Sequence, residues 1–353
     1  MIEAGFNVTV LCRGKYGNGS IDAISYVSFR EKHSNILSKV KAYMNFYHNV
    51  VSYLKNNGNI DCVYIYDAPA SVFNFCKRKL KAKGVSLIYD CVEWYSPEQF
   101  KHGRYSYAFR QKNRIVTQII DSSFSVITIS KYLEDYFVSK GIHTIRVPVL
   151  CDVVNIKENK KCGDKLTLFY AGLPQSKDLI GNLLEAVLLL SPEDKQKLKI
   201  VLVGSSIEHL IQKCGISKRT LNECLDILEL YPRMPRNEVL SMMKNADFVV
   251  LIRDASLRYA KAGFPSKIVE SLANATPVFC NLSSDLNEYL NDGENALLVS
   301  SHRIDDIAKS LHRGIGLTIK KKESMGIVAL ESAKRYFDYR KYVPELQEFI
   351  NEM

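Results

Sequence analysis

Lys261-Ala262-Gly263-Phe264-Pro265-Ser266-Lys267-Ile268-Val269-Glu270-Ser271-Leu272-Ala273, followed by Thr276-Pro277-Val278, is the most informative stretch of this chain. Gly263 and Pro265 punctuate a loop, and Ile268, Val269, Leu272 and Ala273 then keep a helical period. Pro277-Val278-Phe279-Cys280 reads as a short buried strand beyond that helix. A loop opening a helix presents unpaired backbone N–H groups and the positive end of the helix dipole, which suits an anion. Lys267 adds a full charge in the first turn, and Glu270 adds a carboxylate one turn later. Phosphate donors beside a carboxylate suit a nucleoside diphosphate, whose ribose hydroxyls want an acceptor.

Working outward, strands alternate with helices on both sides of this stretch. Val8–Leu11, Val63–Tyr66, Val85–Tyr89 and Ser125–Ile129 read as strands, with a long amphipathic helix over 35–56 and further helices ending at Gly84, at Asp121 and at Gly141, the last capped by Ser130. Gly14, Gly17 and Gly19 have the wrong spacing for a dinucleotide fingerprint and read as a loop. A polar stretch around Pro148–Gly163, including Lys157-Glu158-Asn159-Lys160-Lys161, reads as a linker. The cycle then restarts: Leu166–Tyr170, Lys199–Val203, Ile227–Leu230 and Val249–Ile252 are expected strands, and Tyr336–Phe349 a last amphipathic helix. The class is α/β with parallel sheets wound on both faces.

Composition sets further bounds. A chain of 353 residues predicts two domains. The 46% apolar and 24% charged shares are those of an ordinary globular protein. No apolar run approaches the ~20 residues of a membrane span, and the first residues lack the basic start and apolar core of a signal peptide. Nine cysteines without a C-x-x-C pair read as thiols in a reducing compartment, and the scattered histidines argue against structural zinc. The net charge of +10 is uneven: residues 1–150 carry 20 Lys/Arg against 11 Asp/Glu, whereas the remainder is nearly balanced. The basic run Lys77, Arg78, Lys79, Lys81 and Lys83, with Lys39 and Lys41 flanking Tyr43 and Tyr47, suits an anionic membrane surface or reads as a solvated face. No helix-turn-helix, zinc-finger or RNP pattern supports nucleic-acid binding.

The Gly263–Glu270 segment resembles the C-terminal signature of family 4 retaining glycosyltransferases, an E-x7-E pair around a Gly-Phe-Pro loop followed by a helix and a Pro-Val strand. Branches that build capsule and surface polysaccharide carry a similar short Gly-Phe-Pro-Ser/Thr-Lys form. The resemblance is strong from about Leu166 to Val299 and looser before that. It implies the GT-B fold, two Rossmann-like parallel-sheet domains facing across a cleft: an acceptor-side domain over 1–150, a nucleotide-sugar domain over 151–335, and a helix over 336–353 returning to the first. The start, Ile2-Glu3-Ala4-Gly5-Phe6-Asn7-Val8, resembles the end of that fold's first helix and its second strand, so the N-terminal domain is expected to lack one β–α unit.

Carried over position by position, the resemblance implies that Gly172, Lys177, Arg233, Met234, Gly263, Phe264, Pro265, Ser266, Lys267 and Glu270 bind the nucleotide sugar. Glu270 takes the place of the second glutamate, which holds the ribose, while Ala262 stands where the first is expected. Leu173 occupies the usual arginine position, and Arg253, at a strand end, is the expected replacement cation. Lys177, Arg253 and Lys267 are the expected catalytic electrostatics for a leaving diphosphate. Glu93, beside the single tryptophan and where relatives carry a histidine, reads either as facing the sugar or acceptor or as a surface glutamate. No D-x-D motif is visible, so no obligatory metal is expected, and the nucleotide sugar enters as substrate with no further cofactor. The expected acceptor is a glycan or polyprenyl-linked glycan, at the inner membrane face or in the cytoplasm. The competing reading is a truncated, non-catalytic remnant that keeps a nucleotide pocket or a partner surface.

Overall fold

The computed structural model describes residues 1–13, 17–31, 34–153, 163–174 and 177–353. The chain divides into two compact units: residues 1–128, 133–147 and 340–353 form the first, and residues 129–132 with 148–339 the second. The expected linker residues Lys157–Lys161 lie outside the described residues, as do Gly14, Gln175 and Ser176.

The first unit holds two sheets. β1 (Thr9–Cys12), β2 (Gly19–Ile21) and β3 (Ile24–Ser28) form one, in the order β1-β3-β2, with β1 parallel and β2 antiparallel to β3. Gly19 therefore belongs to a strand, not to the loop expected there. The β2–β3 turn sits at Asp22 and Ala23, both left-handed (φ 47° and 65°), the geometry of a tight hairpin turn. β4 (Cys62–Ile65), β5 (Ser86–Cys91), β6 (Ser125–Thr128) and β7 (Thr144–Arg146) form the second sheet, parallel and in chain order. The long helix Ile36–Asn56 begins with a reciprocal capping box between Asn35 and Ser38. Two helices end in π turns, Cys76–Leu80 and Ile115–Ile119, and the first closes at Gly84 in the left-handed conformation. The expected helix over 336–349 is replaced by two elements, because the preceding helix runs on through Ile319–Tyr336 and the final helix spans Val343–Asn351. In the latter, Phe349 is buried and stacks on His143 at 4.5 Å.

The second unit is one six-stranded parallel sheet: β8 (Leu166–Ala171), β9 (Leu198–Val203), β10 (Leu228–Tyr231), β11 (Phe248–Leu251), β12 (Val278–Asn281) and β13 (Ala296–Val299), ordered β10-β9-β8-β11-β12-β13. Both faces are covered, so its strands are almost wholly apolar. Alternate residues divide between two cores: Leu166, Leu168 and Tyr170 join Leu183, Leu202 and Leu311 on one face, and Phe169, Val249 and Leu251 join Ile268, Leu272 and Phe337 on the other. Chain order reverses direction on either side of β8, placing the loops after β8, β9 and β11 around one crevice at the strand C-terminal ends, where parallel sheets bind ligands.

Candidate functional site

Two glycines open that crevice. Gly172 follows β8 with φ 131°, and Gly204 follows β9 with φ 92°. A Cβ on Gly204 would come within 3.2 Å of the Gly172 carbonyl oxygen, so the two loops approach as closely as glycine permits. A Cβ on Gly172 would lie 3.4 Å from Lys267 Nζ, which brings the lysine directly over the loop backbone.

Lys267 lies in the first turn of the helix Ser266–Ala273, whose N-terminus has no side-chain cap among the described residues. Its Nζ donates to Tyr170 Oη (2.7 Å) and to Asp178 Oδ2 (2.8 Å), and it rests 4.0 Å from the centre of the Tyr170 ring. Tyr170 Oη in turn donates to Asp178 Oδ2 (2.7 Å), and Arg253 Nε donates to Asp178 Oδ1 (2.9 Å). Arg253 is fixed from behind by Asn281, which accepts from its N–H (2.9 Å) and donates to its carbonyl (2.8 Å). Burial pushes the Asp178 carboxyl up, but Lys267 and Arg253 prevail and hold it down at about 2. Burial draws the Lys267 ammonium below its usual range, against the pull of Asp178. Burial, reinforced by the Asp178 charge, raises the Tyr170 phenol, which stays a donor. Lys177 stands 5.5 Å over the Tyr259 ring at the same rim.

One turn beyond Lys267, the Glu270 carboxylate accepts from Arg236 Nη2 at 2.8 Å, and Arg236 itself is largely exposed. Arg233 is exposed and Met234 half-buried in the loop that leads into the helix Arg236–Asn245. Phe264 differs from a ligand contact: its ring is buried against Tyr289 and Phe337 at 5.6 and 5.8 Å, leaving only its backbone to a ligand. Gly263 is extended (φ −94°) rather than left-handed, Pro265 is buried at the N-cap and Ser266 is exposed. Ala262, where the first family glutamate was expected, is fully buried, and its carbonyl accepts the Ser130 hydroxyl at 2.8 Å. Leu173 is exposed beside the rim.

Glu93 belongs to the first unit, at the C-terminal ends of β4 and β5. There a shallow cleft is lined by Tyr66, Asp67, Asp90, Glu93, Trp94, Tyr95 and Lys112, among others. Gln99 Nε2 donates to Glu93 Oε1 (3.0 Å), Trp94 Nε1 donates to Asn113 Oδ1 (3.0 Å), and Lys112 lies 4.7 Å over the Tyr95 ring and 3.2 Å from Asp67. Burial raises the Asp90 carboxyl, against a hydrogen bond from Tyr64.

Sequence reading missed Asp178 and Arg236. Asp178 had a signal, since buried cations at Arg253 and Lys267 need a neighbouring anion and it directly follows Lys177. Among the described residues, no group of His, Cys, Asp and Glu is arranged to hold a metal ion, and no helix is long and apolar enough to cross a membrane.

Residues 154–326 match the family model of glycosyl transferases group 1. No curated protein matches the sequence. Among solved structures, sucrose-phosphate synthase (tll1590) from Thermosynechococcus elongatus is similar at 14% identity, covering 99% of this chain and 90% of that one, with TM-score 0.74. Anabaena Alr3699/HepE, solved in complex with UDP and glucose, is 14% identical over 94% of this chain and 87% of its own, with TM-score 0.66. WaaG, a glycosyltransferase involved in lipopolysaccharide biosynthesis, is 13% identical over 99% of this chain and 92% of its own, with TM-score 0.68. The chain has the GT-B fold of two Rossmann-like domains, carries a glycosyl transferases group 1 match across most of its second unit, and is a transferase.

Proposed function

We propose that this chain transfers a sugar, with retention, from a nucleoside diphosphate to a glycan or polyprenyl-linked acceptor in surface-polysaccharide assembly. The observation that carries the reading is the cation pair Lys267 and Arg253 gathered on Asp178, with Lys267 at a helix N-terminus and over the Gly172 loop. As the bond from the anomeric carbon to the diphosphate breaks, negative charge builds on the leaving oxygen. Lys267, Arg253, Lys177 and the first-turn N–H groups stabilise that charge, by several kcal/mol in sites of this kind. The acceptor hydroxyl attacks from the face the diphosphate leaves, and a diphosphate oxygen takes its proton, so no protein nucleophile is needed. In this reading Glu270 accepts the ribose hydroxyls; its contact with Arg236, which fixes the carboxylate, supports that role. The UDP bound in HepE supports a uridine donor.

The aromatic, carboxylate-lined cleft around Glu93 suits sugar hydroxyls and is the proposed acceptor side. On the helix Ile36–Asn56, Leu37, Val40 and Met44 are exposed beside Lys39 and Lys41, which favours a peripheral membrane site for a lipid-linked acceptor. The remnant reading draws on the first unit's sheets. Among the described residues, β1 and β4 are edge strands of two separate sheets, each paired on one side.

Calorimetry with UDP, GDP and ADP tests the reading, with Glu270→Ala and Arg236→Ala alongside. Micromolar binding of one diphosphate, lost in Glu270→Ala and weakened less in Arg236→Ala, is expected. A folded protein that binds none of the three is not an active transferase. Retention is read from the anomeric configuration of the product by NMR.

A further inference from the structure

Lys267 and Arg253 project toward one point from different elements, the first turn of a helix and the end of β11, and both are mostly buried. Two like charges in such a place repel each other and lose hydration. Each oxygen of the Asp178 carboxylate takes one of them: Oδ1 accepts Arg253 Nε and Oδ2 accepts Lys267 Nζ together with the Tyr170 hydroxyl. Asp178 is only 8% exposed, so this carboxylate is built into the floor of the crevice.

The grip uses one edge of each cation. It engages Arg253 through Nε, and neither terminal amino group of that guanidinium has a hydrogen-bond partner among the described residues. Lys267 spends two of its three protons on Tyr170 and Asp178. Two amino groups of a planar fork and one ammonium proton therefore remain, a donor set that matches adjacent phosphate oxygens.

We propose that Asp178 is a positioning residue of the diphosphate site, holding Lys267 and Arg253 side by side and keeping Lys267 charged when no phosphate is present. This rests on the reading of the crevice as a nucleoside diphosphate site. The charged and titratable groups facing Lys267 are Tyr170 on β8, Asp178 and Lys177 on the following loop, and Arg253 at the end of β11. Of these, Asp178 is the one that favours the ammonium, while burial, Arg253 and Lys177 oppose it. Removing the carboxylate lets the lysine lose its proton at lower pH, by about 1–3 units for an opposite charge at this range. An ammonium is charged below its pKa, so diphosphate affinity must then fall as pH rises, earlier than in the wild type.

The experiment is UDP calorimetry from pH 6 to 9.5 on the full chain, on Asp178→Asn, and on Asp178→Asn/Lys267→Arg. The expected result is that the alkaline loss of affinity moves down by about 1–3 pH units in Asp178→Asn. It disappears in the double variant, whose guanidinium does not titrate in this range. An Asp178→Asn protein with the wild-type affinity and pH profile overturns the proposal, as does one that binds UDP more tightly throughout. Should Asp178→Asn fail to fold, Asp178→Glu decides: the displaced carboxylate must weaken UDP binding with little change in the pH profile, and unaltered affinity refutes positioning. Failure of the wild type to bind UDP, GDP or ADP strikes the donor-site reading instead.

Discussion

Lys322 and Asp247 form an ion pair deep inside the second unit, 3% and 1% exposed. Lys322 Nζ lies 3.1 Å from Asp247 Oδ2 and 2.9 Å from the Gly163 carbonyl oxygen, and the same Oδ2 accepts the Thr167 N–H at 2.8 Å. The pair thus ties the helix Ile319–Tyr336 to the segments flanking β8 and β11, the two central strands of the sheet. Lys322→Met keeps the length of the stem and removes the charge, leaving a carboxylate in an interior that water does not reach. Breaking a buried pair from one side costs about 3–5 kcal/mol, because the remaining ion keeps its desolvation penalty. That is a large fraction of the ~5–15 kcal/mol that holds a typical domain together. For a unit of this size the midpoint of thermal unfolding should fall by roughly 6–20 °C. Adding Asp247→Asn to Lys322→Met should recover at least about 2 kcal/mol, since the orphaned charge is gone. Urea unfolding of the four proteins of the cycle measures both quantities. A Lys322→Met variant within about 1 kcal/mol of wild type, or a double variant showing the summed loss of the two singles, would refute the argument.

Other consequences are as direct. The folded pKa of Asp178, about 2, lies below its ordinary value of 3.8, so its stabilisation is fully present above pH 4 and is lost as pH falls toward 2; it amounts to about 2 kcal/mol, and acid titration of Asp178→Asn should lack it. Gly204→Ala places a Cβ 3.2 Å from the Gly172 oxygen at positive φ, so it should lower both stability and UDP affinity. Gly215→Ala, at φ 69° with nothing within 4 Å of the new Cβ, should lower stability alone, and equal effects on UDP would undo the loop argument. Ala262→Glu, which restores the expected first glutamate, buries a carboxylate and should cost at least about 2 kcal/mol in urea without raising turnover. A gain in activity at unchanged stability would place that side chain at the sugar instead.

What could be read beforehand follows from where each signal lies. The strands of the second unit announce themselves because a parallel sheet covered on both faces needs unbroken apolar runs such as Ile200–Val203. The β2–β3 hairpin gave no such signal: β2 is three exposed residues, and its turn is Asp22-Ala23 rather than an Asn-Gly pair. Lys267 and Glu270 were legible because they sit on one helix at fixed spacing. Arg253 was legible from its place at a strand end, and Asp178 had a weaker signal in the need of buried cations for an anion; Arg236 and the Asn281 contact meet the site only through the order of strands, which no local pattern encodes. Phe264 shows the opposite hazard, since a residue within a signature is counted as ligand-facing although its ring completes the core. Ser130 is legible as the residue before a helix, whereas the bond its hydroxyl donates across 132 residues of sequence to the Ala262 carbonyl is not, nor is the one Asp285 accepts from the Lys131 N–H at 2.7 Å.

The helix Val343–Asn351 belongs to the first unit, with Phe349 against His143 and Glu352 3.2 Å from the same ring. During synthesis that helix emerges only after residues 148–339 have left the ribosome, a delay of roughly 10–40 s at ordinary elongation rates. The half of the protein translated first is therefore sealed last. In the interval the second unit can complete its own sheet while the first still exposes the surface around His143. A stop codon between Tyr339 and Phe349 would leave the second unit whole and the first without the ring that covers His143.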